Sequence, residues 1–263
     1  GGIDLLFDHI TVTWLKSYEH YLKIDLGNGI NTVHSNFRSI RRIINLAINE
    51  EIISENKNPF KRFKLVLEKV KKDFLTEEEL MLIQLAPLQR NSMKDHHRNM
   101  YVFSAYAGGL RISDIITLKW RHFDGERILM QTKKTASIVS IKLPSKAMEI
   151  LEIYQRNDAK PEDFIFPVFR NDVDYTNPQR LFFAITNADE DVNTDLREIV
   201  KIVGLEKKVT FHSARHTFAT RALRKGVRIE YVSKLMGHSS IATTQIYAQV
   251  VNAELDKAMA VFN

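Results

Sequence analysis

Phe211-His212-Ser213-Ala214-Arg215-His216 sets an imidazole and a guanidinium three residues apart. On a helix that spacing projects His212 and Arg215 from one face, where the two can grip a single anion. His216, four residues after His212, also gives the interval of a two-histidine zinc site, but no glutamate follows His212 to activate water and no third ligand is evident. A solvated arginine between partly packed histidines is the plainer alternative for this fragment. A second constellation follows in Gly237-His238-Ser239-Ser240 and Ile246-Tyr247. Gly237 suits a helix end and Ser239 or Ser240 a helix start, so the His238 imidazole and the Tyr247 phenol belong to neighbouring elements. A phenol with a pKa of ~10 is protonated at neutral pH, so Tyr247 acts as a nucleophile only beside cations or a base, and is otherwise a packing aromatic.

Upstream, two glycines in Ala107-Gly108-Gly109-Leu110-Arg111-Ile112-Ser113-Asp114 end one helix and leave Arg111 at the start of the next. An arginine there adds its fork to exposed backbone donors and a favourable dipole, which suits a phosphate oxygen; the alternative is a surface ion pair with Asp114. Lys133 and Lys134 fall in the polar turn between Arg127-Ile-Leu-Met-Gln-Thr and Ile138-Val-Ser-Ile-Lys-Leu, two short strands of a β-hairpin. Taken alone, turn lysines are solvated charges.

These groups need elements to hold them, and the hydrophobic period supplies the elements. Ile10, Trp14, Leu15, Tyr18, Tyr21 and Leu22 recur at helical spacing, and after the Gly27-Asn28-Gly29 turn Thr32 caps a second helix burying Val33, Phe37, Ile40, Ile44 and Ala47. Its other face carries Arg38, Arg41 and Arg42. Pro59 ends this helical region, and Lys61, Arg62, Lys64, Lys69, Lys71 and Lys72 follow. The capping-box pattern Thr76-Glu77-Glu78-Glu79 opens a new region with helices over 76–88 and 98–107. Past the hairpin, helices return from Ser145, over 182–203, 211–225, 228–236 and 241–250. The pattern predicts an α+β chain, mostly α: a small all-helical domain over 1–72, then a mainly helical domain over 73–263 with one antiparallel hairpin. The opening Gly1-Gly2 ahead of a helix predicts a start truncated on its N-terminal side.

Composition bounds the chemistry further. The chain has 263 residues, 44% hydrophobic and 27% charged, with no cysteine, so disulfides, thiolate metal sites and cysteine nucleophiles are excluded. It contains no run of eighteen apolar residues and no secretory leader pattern, which predicts a cytoplasmic protein without a membrane span. Thirty-eight Lys and Arg against thirty-two acidic residues give +6, a balance suited to a polyanionic partner.

In this order, Gly-Gly-Leu-Arg111-Ile-Ser-Asp114, a hairpin lysine, His212-Ser-Ala-Arg215-His and Gly-His238-Ser-Ser with Ile-Tyr247 resemble the tyrosine recombinase (phage integrase) family. The resemblance covers roughly residues 74–252 by motif and, more weakly, the helical first region, which looks like a core-type DNA-binding domain. It implies that Arg111, Arg215 and His238 hold a scissile DNA phosphate, that Tyr247 attacks it, and that Lys134, with Lys133 as the alternative, protonates the leaving oxygen. It assigns His212 to proton handling near the tyrosine and Asp114 to orienting Arg111. No cofactor and no metal are implied. Double-stranded DNA at a specific site is the implied partner, with Arg38, Arg41, Arg42, Lys61, Arg62, Lys64 and Lys133 as candidate phosphate contacts in a clamp around the duplex. The implied assembly is a homo-oligomer, a tetramer during recombination, and the implied role is mobile-element integration or excision on the nucleoid. Two alternatives remain at this point: a type IB topoisomerase-like nicking-closing enzyme, and a non-catalytic binder using residues 228–250 as a helix-turn-helix.

Overall fold

A computed structural model describes residues 4–68, 73–248 and 259. The chain divides into two compact units, Gly1–Lys71 and Lys72–Asn263.

In the first unit α1 (Val12–His20) starts where the Thr11 side chain accepts the Trp14 N–H, and it runs on into a wider π-type turn over Tyr21–Asp25. The second helix of the pattern, α2 (Ile30–Asn49), buries Val33, Phe37, Ile44 and Ala47. Val33, Phe37 and Ile44 join Ile10, Leu15, Leu22, Phe60 and Phe63 in one small core. Tyr21, the first residue of that turn, is 46% exposed although it belongs to the predicted stripe. The expected cap is also displaced. Gly29, not Thr32, is the N-cap: its carbonyl already accepts the N–H groups of Thr32 and Val33, so Thr32 lies inside the first turn. Arg38, Arg41, Arg42, Lys61, Arg62 and Lys64 are all exposed, Lys61 beside Glu55 at 2.9 Å. Lys69, Lys71 and Lys72 lie outside the described residues.

The second unit opens with α3 (Glu77–Gln84) behind the expected capping box, in which Thr76 and Glu79 exchange side-chain-to-backbone hydrogen bonds. Then come α4 (Met93–Tyr106), α5 (Ile112–Ile116), the antiparallel pair β1 (Arg127–Gln131) and β2 (Ile138–Lys142), α6 (Ser145–Tyr154), α7 (Pro178–Ile202), α8 (Phe211–Arg224) and α9 (Ile229–Leu235). Residues 242–248 are helical as well. The described residues are thus mostly helical, with one small antiparallel sheet. Arg127 pairs with Lys142 and Gln131 with Ile138, which turns Ile128, Met130, Val139 and Ile141 to the core. Two starts come earlier than apolar spacing alone predicts, because the caps are polar. Ser92 accepts the Asp95 N–H at 3.2 Å ahead of α4, and Asn177 accepts the N–H groups of Gln179 and Arg180 ahead of α7.

Helix α4 is the axis of this unit and packs against α3, α6, α7 and α8. A helix enclosed on all sides has no wet face, so its polar side chains must bond to its neighbours. Tyr101 Oη lies 3.0 Å from Ser213 Oγ on α8, and His97 Nδ1 2.7 Å from Asp195 Oδ2 on α7. Tyr154 on α6 takes the Asn99 amide and stands 3.0 Å from His96 Nδ1. Among the described residues no helix is long and apolar enough to cross a membrane.

Two of the packed histidines give this unit a pH dependence. Burial pushes His96 below the ordinary imidazole range, and burial together with Arg121, Lys119 and Lys133 does the same for His122, whose Nδ1 accepts the Lys119 N–H. A depressed imidazole resists protonation only when folded, so the unfolded chain binds the extra proton first and stability is lost as pH falls below ~6.5. Thermal unfolding followed across pH should show a midpoint that is level above neutrality and drops at mildly acid pH. His122 is half-buried and solvent-screened, so His96→Gln should remove most of the drop.

Candidate functional site

The end of α4 sets the first part of the site. Gly108 and Gly109 both adopt left-handed backbone, at φ +69° and +63°. A Cβ on Gly109 would stand 3.1 Å from Arg215 Cα and 3.2 Å from its Cγ, so the missing side chain is what lets α8 approach the turn. Ser104 Oγ donates to the Leu110 carbonyl and ties the turn back to α4. Arg111 is then the N-cap residue of α5. Gly109→Ala adds both left-handed strain and this clash, so it should cost about 2 kcal/mol or more. A denaturant midpoint shifted at unchanged slope is the measurement that checks it.

Asp114 is fully buried on α5, and its Oδ1 accepts the Lys133 N–H at 2.8 Å. Burial raises this carboxyl above its ordinary range, opposed by that N–H and by the charges of Arg111 and Arg215. The acid therefore anchors the backbone of the hairpin turn to α5. Arg111 Nη1 and Asp114 Oδ2 are both buried without a hydrogen-bond partner among the described residues. The turn is held from its other side as well, where Thr135 Oγ1 donates to the Gly237 carbonyl at 3.3 Å. The side chains of Lys133 and Lys134 are exposed.

Arg215, one turn into α8, is 3% exposed. Its Nη1 donates to the Gly109 carbonyl at 2.7 Å and its Nη2 to the Met236 carbonyl. Burial and the neighbouring Arg111 pull its guanidinium down to about 10, against the opposite pull of Tyr247 and Asp114, so it stays charged at neutral pH. Gly237 ends α9 with φ +62°. His238 follows in the turn, its Nδ1 2.8 Å from Thr244 Oγ1.

Tyr247 sits on the helical stretch 242–248, 5% exposed and packed with Ala219, Val232 and Met236. Burial pushes its phenol up to about 12, while Arg215 and Arg111 pull it down. Its Oη lies 2.7 Å from His216 Nδ1. His212 is exposed, and its ring packs perpendicular to that of His216 with centroids 4.6 Å apart.

The structure thus brings Arg111, Asp114, Arg215 and Tyr247 within electrostatic reach of one another, with the hairpin turn tethered to Asp114 and His238 braced by Thr244. Arg38, Arg41, Arg42, Lys61, Arg62 and Lys64 belong to the other unit. Two residues at this site escape sequence reasoning. His216 shows up there only as a zinc candidate, since nothing local signals a tyrosine thirty-one positions away. Thr244 carries no signal beyond standing one helical turn before Tyr247. Among the described residues no group of three or more His, Asp or Glu could hold a metal ion. What the arrangement offers is one buried and one half-buried guanidinium group, a nearby ammonium, a braced imidazole and a phenol, which together suit a phosphodiester rather than a carbonyl substrate.

Comparison with known proteins agrees with this chemistry. Residues 73–254 match the phage integrase family, and residues 1–65 match the phage integrase SAM-like domain. A tyrosine recombinase of Pseudothermotoga lettingae is 32% identical over 187 residues, 69% of this chain and 58% of that protein. The tyrosine recombinase XerC of Pediococcus pentosaceus is 24% identical over 97% of this chain and 81% of its own length. The chain spans less than two thirds of the curated relatives it matches first, 58% and 59% of their lengths. Among solved structures, the Tn1549 transposon integrase (residues 82–397) bound to circular intermediate DNA shares the fold with a TM-score of 0.68 at 23% identity, over 92% of this chain and 82% of that one. A lambda integrase dimer on a core site gives 0.68 at 18% identity, over 94% and 82%.

Proposed function

This chain belongs to the phage integrase family, and from that premise we propose that it is a site-specific recombinase that cuts and rejoins DNA through a 3′-phosphotyrosyl intermediate. The observation that supports this most directly is the electrostatic coupling of Tyr247 to Arg215 and Arg111, three side chains from separate helical elements. Tyr247 Oη attacks the phosphorus in line and the 5′-oxygen leaves, so the bond energy is kept in the protein-DNA link and no cofactor is consumed. Arg111 and Arg215 neutralise the charge that builds on the non-bridging oxygens, with His238 as a further donor and His212 handling protons near the tyrosine. Among the described residues Arg111 Nη1 has no hydrogen-bond partner, which leaves it available to the phosphate. Lys134 protonates the leaving oxygen, with Lys133 beside it as the alternative, and Asp114 holds the turn that carries both.

Residues 1–72 act as a core-type DNA-binding domain and 73–263 as the catalytic domain. Phosphate contacts come from Arg38, Arg41, Arg42, Lys61, Arg62, Lys64 and Lys133. The partner is double-stranded DNA at a specific site, engaged by a homo-oligomer that is tetrameric during exchange, in the cytoplasm on the nucleoid. Likeness to a transposon integrase supports integration or excision of a mobile element as the role.

The test is covalent capture. Duplexes selected from a random pool by binding are nicked beside the scissile phosphate and incubated with the protein, and a denaturing gel is read for a protein-DNA adduct. An adduct at one defined phosphate is the expected result. Tight, specific binding with no adduct would sink the catalytic assignment.

A further inference from the structure

The interior position of Tyr247 sets its own chemical difficulty. Burial holds the phenol up at about 12 even though Arg215 and Arg111 pull it down. At neutral pH such a phenol attacks slowly unless a base takes its proton as the new bond forms. The sequence motif and the family resemblance put His212 in that part of the site. The structure puts His216 there. Its Nδ1 lies 2.7 Å from Tyr247 Oη, inside the range required for direct proton transfer. Both groups are fixed: His216 is 7% and Tyr247 5% exposed, with ring centroids 5.4 Å apart and planes at 47°. Among the described residues, the charged and titratable groups that act on the pair include Arg215, Arg111 and, edge to face with His216, His212. His216 also follows Arg215 directly on α8, so one helix sets both the oxyanion grip and the group at the phenol.

We infer that His216 is a further catalytic residue, the proton acceptor for Tyr247 in the cleavage step. This rests on the recombinase reading above. As the Tyr247 Oη–P bond forms, the phenol proton passes to His216 Nδ1, which becomes imidazolium. The P–O5′ bond breaks and the leaving oxygen takes its proton from Lys134. In the rejoining step both transfers reverse, so no proton is gained or lost over the cycle.

The experiment measures the rate of adduct formation on the nicked duplex across the neutral pH range for wild type and His216→Gln, each with tyrosine or the more acidic 3,5-difluorotyrosine at 247. Glutamine keeps a hydrogen-bonding side chain but cannot carry the proton away. The expected result is a rate lower by ~10²-fold or more in His216→Gln with DNA binding retained, and a deficit at least ~10-fold smaller with the fluorinated tyrosine. A variant that reacts at the wild-type rate, or a deficit that fluorination leaves untouched, overturns the inference while the recombinase reading stands. Should glutamine unfold the protein, the wild-type pair decides. A rate inflection that stays in place on fluorination belongs to His216, and one that moves down with the acidity of the phenol belongs to Tyr247 itself and overturns the inference. If the wild type forms no adduct, the recombinase reading fails and this inference falls with it.

Discussion

Tyr247→Phe is expected to abolish covalent capture of DNA, by ~10⁴-fold or more, while leaving the affinity for the site nearly unchanged. The substitution removes one oxygen and keeps the ring that packs with Ala219, Val232 and Met236. The fold therefore has little reason to change; the main local cost is the lost partner of His216 Nδ1, about 1–3 kcal/mol less what is regained by not burying a hydroxyl. Attack on phosphorus needs that oxygen, and no thiol is available as a substitute because the chain has no cysteine. Gel-shift titration beside the denaturing gel separates the two effects. An adduct that survives in Tyr247→Phe would mean that another side chain is the nucleophile.

Arg215→Lys should be nearly as severe, although it conserves charge. The guanidinium uses two arms at once, on the Gly109 and Met236 carbonyls, and so joins the α4–α5 turn to the end of α9. A single ammonium on a shorter, non-planar head cannot reach both and still face an anion. One carbonyl is left buried and unpaired, which costs about 1–3 kcal/mol, and the loss of a preorganised oxyanion donor costs ~10²–10³ in rate. Chemical denaturation gives the first figure and single-turnover adduct formation the second. Wild-type stability with a normal rate would show that Arg215 is a structural clasp with no share in the chemistry.

The sequence made much of this legible, for reasons that can be stated residue by residue. The hairpin was readable because alternation survives in both strands, and its observed limits fall within one residue of the pattern. The Thr76 capping box was readable because both of its partners lie within four residues. The Thr32 cap misled because a glycine with extended backbone caps without any side chain to see. The early turns of α4 were hidden because Asp95, His96 and His97 look like a surface stretch until the helices that bond to them are known. At the site, residue types and order pointed to Arg111, Arg215, His238 and Tyr247. The bonds that brace them were not accessible, since His216 to Tyr247 and Asp114 to Lys133 are decided by how separate elements pack.

The doubly anchored hairpin turn also changes what its lysines are as reagents. Asp114 and Gly237 pin the turn from two sides through Lys133 N and Thr135 Oγ1, while the side chains of Lys133 and Lys134 stay in solvent. An ammonium on a free stem with a fixed root samples only a small dome of space. Its effective concentration at any point inside that dome is far above what the same group would have in bulk solution. Under the proposed function neither lysine would have to be held in one pose, and the freedom it keeps would let it reach scissile phosphates presented at slightly different angles.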